Sequence, residues 1–142
     1  MNLFTLLAQS AARNPSHGAV YEGEALFATY GELHRRALAL GGAMARLVEP
    51  GGRIAIATKN CPSYIEILFG AWAAGLVVTP INAKLHPREM GDVLVDSGAG
   101  LLFTSWDLAA ELAGRAPSAA CHVVTIGSDP YAAMLAAAPI AP

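Results

Sequence analysis

Charge is scarce in this sequence. Only 14% of its 142 residues are Asp, Glu, Lys or Arg, and the formal net charge is −2. A nucleic-acid binder needs a basic stripe to displace phosphate counterions, and no cluster of Lys or Arg supplies one, so no nucleic-acid partner is expected. Cysteine is nearly absent as well. Cys61 and Cys121 lack metal-ligand spacing and are too few for a disulfide framework. Two isolated thiols suit a reducing compartment, which makes the cytoplasm the expected location. Long apolar runs are missing too. The longest uncharged stretch, Ile67 to Ala83, contains Gly70, Gly75, Pro80 and Asn82. It divides into a helix and a strand rather than forming one membrane span of roughly 17–25 residues, so no span is expected. Near the start, Leu3-Phe4-Thr5-Leu6-Leu7-Ala8 has neither the basic leader nor the length of a signal peptide. Leu3, Leu7 and Ala11 fall instead on one face of a surface helix.

Catalytic signatures are also lacking. There is no G-x-x-x-x-G-K-[ST] and no G-x-S-x-G. Gly98-Ala99-Gly100 has Phe103 where the dinucleotide fingerprint needs glycine, and it precedes a strand. His17, His34, His86 and His122 are scattered without ligand spacing. Asp92 and Asp96 share a helix face at i, i+4, but nothing apolar flanks them to tune a general acid or base. No catalytic residue and no metal ligand is therefore assigned.

Apolar residues are what the chain has in excess, at 54%. That is high for a free-standing domain of this size and implies surface that normally faces other protein. The organising stretch runs from Gly52 to Asn82. Ile54 to Ala57 is a short buried strand, and Asn60-Cys61-Pro62 opens a helix, with Pro62 pre-set for its first turn. Tyr64, Ile65, Ile67, Leu68, Phe69, Ala71 and Trp72 make that helix apolar on nearly all sides, interrupted only by Ser63 and Glu66. It is expected to be buried all round. Gly75 closes it, Leu76 to Thr79 forms a second buried strand, and Pro80 ends that strand. Strand, crossover helix and strand of these lengths make a right-handed βαβ unit with a parallel pair.

Upstream, Ala19-Val20-Tyr21 and Ala25-Leu26-Phe27 read as a hairpin about Glu22-Gly23-Glu24. Thr29 and Glu32 form a capping box for a helix with Leu33, Ala37, Leu40, Met44 and Leu47 on one face, and His34, Arg35, Arg36 and Arg46 largely off it. Downstream, a helix runs from His86-Pro87 to Asp96-Ser97-Gly98 and a strand covers Leu101 to Thr104. Ser105 caps a helix from Trp106 to about Ala113, and a further strand covers His122 to Ile126. Asp129-Pro130 opens a short helix, and 139–142 has linker composition. Strand starts at Ile54, Val77, Leu101 and Val123 lie 22 to 24 positions apart, which reflects regular α/β winding. The expected fold is a parallel α/β sheet of repeated βα units with helices on both faces, plus a small N-terminal hairpin.

Ligands of open parallel sheets sit outside the carboxyl ends of the strands. Those ends are Thr58-Lys59-Asn60, Ile81-Asn82-Ala83-Lys84, Ser105-Trp106 and Gly127-Ser128-Asp129. Two lysines, two asparagines and an indole on one edge make a rim for a polyanion. The alternative is that Asn60 caps a helix, the lysines are solvated and Trp106 packs.

Gly52-Arg53-Ile54-Ala55, Asn60, Pro62, Tyr64, Gly70, Ala74-Gly75, Pro80-Ile81-Asn82, Leu85, Pro87, Glu89, Leu94 and Asp96-Ser97-Gly98-Ala99, in this order and spacing, resemble the opening part of the AMP-forming acyl-CoA synthetases, in the adenylate-forming superfamily. The resemblance extends from about Leu3 to Ile126. Gly52 and Ser63 stand where the family usually carries acidic residues. The resemblance implies an amino-terminal portion of an acid–CoA ligase, with 1–138 belonging to the large adenylate-forming domain and 139–142 a linker. The whole enzyme would use ATP, Mg²⁺ and coenzyme A to activate a carboxylic acid, in the first instance a fatty acid. Lys84, in Asn82-Ala83-Lys84-Leu85, matches a basic position that can face the nucleotide end of coenzyme A, and Arg88 follows as a second candidate. Catalytic and metal-binding motifs of the family are not found before Pro142, so this segment alone is expected to be inactive. Its expected partners are the remainder of the same polypeptide and a second copy bound through exposed apolar surface. The competing readings are a non-catalytic nucleotide- or coenzyme A-binding module and a protein-interaction domain.

Overall fold

The computed structural model describes residues 1–118 and 120–141. In chain order the elements are α1 (Phe4–Arg13), β1 (Gly18–Glu22), β2 (Ala25–Thr29), α2 (Tyr30–Ala45), β3 (Arg53–Ala57), α3 (Pro62–Ala73), β4 (Val77–Ile81), α4 (Pro87–Ser97), β5 (Leu101–Thr104), α5 (Ala109–Gly114), β6 (His122–Thr125) and α6 (Asp129–Leu135). Strands β3 to β6 form one parallel sheet in the order β4-β3-β5-β6, and β1 and β2 pair antiparallel in a separate hairpin.

Side-chain alternation sorts the sheet into two faces. Ile54 and Ile56 of β3, with Leu101 and Phe103 of β5, meet α2, α3 and α6 through Leu40, Met44, Ile67, Ala71, Tyr131 and Met134. Ala55, Ala57 and Leu102 face the other way, onto Met90 and Leu94 of α4 and Leu112 of α5. A third cluster joins α1 and the hairpin to α2 and α3 through Phe4, Leu7, Val20, Ala28, Leu33 and Ala73. The faces follow from handedness. The chain steps from β3 to β4 in one direction and then crosses back past β3 to β5. Two right-handed crossovers in opposite directions must place α3 and α4 on opposite faces.

Local signals in the sequence are realised at several points. Thr29 Oγ1 accepts from the Glu32 amide (3.2 Å), and Glu32 accepts from the Thr29 amide (2.8 Å). Pro62 sits in the first turn of α3, and Gly75, at φ +70°, turns the chain into β4. Elsewhere the structure corrects the expectation. Helix α3 is not buried all round: Ile65 is 36% exposed, whereas Glu66, its one charged residue, is fully buried. Its N-cap is Cys61, without a side-chain hydrogen bond, so Asn60 does not cap it. The face of α2 ends at Met44; Leu47 lies beyond the helix and is exposed, and Val48 takes the core position. Helix α5 begins at Ala109 because residues 106–108 form a turn instead of its first coil. Strand β4 is not fully buried but an edge strand, with Val77 49% exposed, and it runs through Pro80 to Ile81. Val77 donates its amide to Gly52, so the alternation turns the missing amide of Pro80 away from β3, where no bond is lost.

Beyond α6, the Ile140 amide donates to the Leu38 carbonyl (3.0 Å) and its side chain packs on the third cluster. Pro142, the last residue of the linker expected at 139–142, lies outside the described residues. Among the described residues no helix is long and apolar enough to cross a membrane.

Candidate functional site

Because β3 exits into α3 on one face and β4 exits into α4 on the other, the two loops diverge and leave a crevice at the carboxyl ends of the strands. This is where open α/β sheets place their ligands. The crevice is a cleft of about 590 Å³ lined by Thr58, Lys59, Asn60, Tyr64, Pro80, Ile81, Asn82, Ala83 and Lys84. Thus the loops after β3 and β4, separated by more than twenty positions in sequence, bring both lysines and both asparagines of the expected rim together.

The geometry of Lys84 is set locally. Asn82 Oδ1 accepts the Lys84 amide at 2.9 Å, an Asx turn that reverses the chain as it leaves β4. Both Asn82 and Lys84 are exposed, leaving the ammonium free to reach into the cleft. Arg88 lies on the first turn of α4, exposed and outside the cleft lining; its amide donates to His86 Nδ1 at 3.1 Å. His86 and Glu89 form a second capping box at that helix start, the role the histidine-proline pair takes here.

Tyr64 is the lining residue that pattern reading missed. It reads as one more apolar position of α3, but it is half-buried on the cleft wall, and burial pushes its phenol above the ordinary value. Its place in the first helical turn after the strand end is the signal that could have found it.

On the other side of β3 the rim continues into β5. Trp106 is 70% exposed, so it does not pack. Next to it, Asp107 is fully exposed. Its carboxyl is held below the ordinary aspartate range by a hydrogen bond from the Ser105 side chain, then by its own backbone, with the Lys59 charge adding to the effect. Lys59 thus lines the cleft between β3 and β4, and its charge is felt at Asp107 on the β5 side. Gly127 and Ser128 close the edge at β6, where Ser128 caps α6 by accepting from the Tyr131 amide (3.3 Å).

The cleft fits a phosphate: two ammonium groups and amide donors line it, and no acidic side chain does. It does not fit Mg²⁺, which prefers carboxylate ligands, and among the described residues no three His, Cys, Asp or Glu side chains converge.

The sequence profile of the AMP-binding enzyme family matches residues 7–139. The chain belongs to the AMP-binding enzyme family. Among its relatives, the feruloyl-CoA synthase of Amycolatopsis sp is 39% identical over 92 residues, which are 64% of this chain and 19% of that protein. The fatty acid–[acyl-carrier-protein] ligase ScoC of Streptomyces coeruleorubidus is 40% identical over 95 residues, 66% of this chain and 18% of that protein. The fold is shared with a benzoate CoA ligase from Burkholderia xenovorans, at a TM-score of 0.87 and 26% identity over 99% of this chain and 29% of that one. The N-terminal domain of FACL13 from Mycobacterium tuberculosis matches with a TM-score of 0.86 and 27% identity, covering 100% of this chain and 38% of that one. The chain therefore spans about a fifth of these curated relatives (19% and 18%). As an AMP-binding family member it carries the parallel sheet and the crevice, whereas no Mg²⁺ ligand set lies among its described residues.

Proposed function

We propose that this chain is the amino-terminal part of an AMP-forming acid–CoA ligase, and that its crevice receives the nucleotide end of coenzyme A. The observation that carries the reading is the convergence of Lys59 and Lys84 on one cleft at the carboxyl ends of β3 and β4, in a chain whose relatives include a feruloyl-CoA synthase. In the first half-reaction a carboxylate oxygen attacks the α-phosphorus of ATP and pyrophosphate leaves. In the second, the coenzyme A sulfur attacks the acyl carbonyl, AMP leaves, and the thioester forms. The acid is a fatty acid in the first instance. Binding of Mg²⁺ and the triphosphate falls to the remainder of the polypeptide, since bringing anions together requires Mg²⁺ and oriented donors that the crevice does not hold. The free thiols of Cys61 and Cys121 are consistent with a cytoplasmic enzyme.

Lys84→Ala, in the full-length enzyme, is expected to raise the KM for coenzyme A about fivefold, the value of one exposed phosphate contact of about 1 kcal/mol. Adenylate formation should be nearly unchanged, because coenzyme A enters only the second half-reaction. Pyrophosphate release and thioester formation measured separately decide it. Equal slowing of both would remove Lys84 from the coenzyme A site. Arg88→Ala, on the first turn of α4 and outside the cleft lining, is expected to have the smaller effect.

A second surface concerns assembly. Leu6, Val20, Tyr21, Ile65 and Phe69 line a shallow apolar cleft of about 460 Å³ between α1, the hairpin and α3, and Leu6, Tyr21 and Ile65 are exposed. We assign this face to contact with the rest of the polypeptide or, in the chain alone, to a second copy. Sedimentation of the 142-residue chain should show a dimer that Ile65→Lys converts to monomer; a monomer before substitution would discard the assignment.

A further inference from the structure

We propose that Trp106 is the stacking surface for the base of the nucleotide whose phosphates meet Lys84 and Lys59, so that a nucleotide lies lengthwise from the crevice at β4 and β3 across to the turn after β5. The inference rests on the cleft reading above and adds to it a position that recognises a base.

Two tryptophans make the contrast. Trp72 is half-buried, edge-on to Phe69 with ring centroids 5.3 Å apart, in the packing of α3. Trp106 is 70% exposed on the turn that follows β5. A single exposed apolar side chain needs no explanation by itself, but this one stands on the ligand edge of a parallel sheet, next in sequence to Asp107, whose carboxyl feels the Lys59 charge. Its position is supported from one side. A Cβ added to Gly127 would lie 3.8 Å from the indole Nε1, so the ring edge lies beside the turn that Gly127 makes at φ +82°. Behind it, the Leu108 amide donates to the Ser105 carbonyl at 3.2 Å, closing the turn that carries the indole.

Spacing and charge give the direction. Neighbouring strands lie about 4.8 Å apart, and the order is β4-β3-β5. The loops carrying Lys84, Lys59 and Trp106 therefore span about 10 Å, the scale on which a nucleotide separates its base from its phosphates. Lys84 has no acidic neighbour in the cleft lining, whereas Asp107 offsets Lys59 on the β5 side. Phosphates are thus favoured over β4 and β3 and repelled from the Asp107 end, which leaves the base over the indole. Stacking of a base on an aromatic side chain is sequence-tolerant and strong enough to matter at an exposed site.

The test uses adenosine 3′,5′-bisphosphate as the probe, with adenosine and inorganic pyrophosphate as its two halves. Titrated into the chain, adenosine bisphosphate should quench tryptophan emission saturably. In Trp106→Phe the quench should vanish while calorimetric affinity stays within about threefold, because a phenyl ring still stacks. Trp106→Ala should weaken adenosine bisphosphate about tenfold and leave pyrophosphate binding unchanged. If Trp106→Ala binds adenosine bisphosphate as the parent does while Lys84→Ala loses affinity, the stacking role is overturned and the cleft reading stands. If Lys84→Ala changes neither phosphate ligand but adenosine still quenches Trp106 and loses affinity in Trp106→Ala, the stacking role stands and the cleft reading fails. No quench by either adenosine compound overturns the inference.

Discussion

Replacing Arg36 by alanine is expected to cost about 3–5 kcal/mol of folding stability, the usual result of stranding one member of a buried ion pair. Glu66 of α3 has no exposed surface, and two other elements of the layer above the sheet converge on it. Arg36 of α2 donates through Nε at 2.6 Å and Nη2 at 3.1 Å, and the Tyr131 hydroxyl of α6 donates at 2.5 Å. The hydrogen bond to Glu66 raises the Arg36 pKa above its ordinary value, against the opposing effect of burial. Without Arg36 the carboxylate keeps only the phenol. Glu66→Ala should cost less, because the guanidinium is about 29% exposed and lies over the Phe27 ring at 5.2 Å, so it can rehydrate. Exchanging both partners for apolar residues, Arg36→Met with Glu66→Leu, should recover most of the loss. Urea midpoints of the three variants check the order.

The same network fixes a pH dependence. Burial first, and then the Glu66 charge, push the Tyr131 phenol far above its ordinary value of 10.0. The folded state therefore keeps a proton that the unfolded chain releases, and this contribution is complete below pH 10. Stability should fall as pH rises above that point. Tyr131→Phe should flatten the alkaline fall and lower stability by about 1–2 kcal/mol at neutral pH.

Gly70→Ala is expected to destabilise by about 2 kcal/mol, within the range for overpacking a filled interior. Helices α2 and α3 cross with backbone against backbone. A Cβ on Gly70 would lie 2.9 Å from the Ala37 carbonyl and 3.0 Å from both Leu40 Cβ and Met44 Cε; one on Gly41 would lie 2.8 Å from the Gly70 carbonyl. The Ala37 carbonyl cannot swing aside as the end of a side chain can, so the helices must separate, which also stretches the Arg36–Glu66 pair. Alanine's better helix propensity, about 1 kcal/mol over glycine, offsets only part of this. Gly114→Ala is the control. Nothing lies within 4 Å of its Cβ position, and it should be neutral or slightly stabilising. Thermal unfolding of the pair separates crowding from propensity.

Much of the fold is legible in the sequence because its punctuation is local. Pro62 and Gly75 bracket α3, Thr29 and Glu32 start α2, and short β-branched or aromatic runs mark β3 to β6. What was illegible depends on partners distant in sequence. Glu66 reads as an interruption of an apolar helix; its donors lie thirty positions upstream and sixty-five downstream. A lone charge on such a helix could still have prompted a search for partners, since buried charges are paired. Pro80 reads as a strand end because sequence does not reveal that β4 is an edge. Leu47 continues the helical period, but the helix stops at Ala45 and the chain turns Val48 inward instead. At the candidate site, Lys59, Asn60, Asn82 and Lys84 were legible from their places after strands. Tyr64 was not, because its aromatic ring satisfies the core pattern equally well.

Pro80 also has a bearing on how the sheet can grow. On the outer side of β4 it removes a donor that another extended chain would need, so edge-to-edge association of sheets is blunted there. At the opposite edge, His122 and Ile126 donate their amides inward to Gly100 and Thr104, and the alternation turns Val123 and Thr125 outward with no proline among them. The sheet therefore has one blunted margin and one that keeps its outward amides, which makes the β6 side the better template for a further strand.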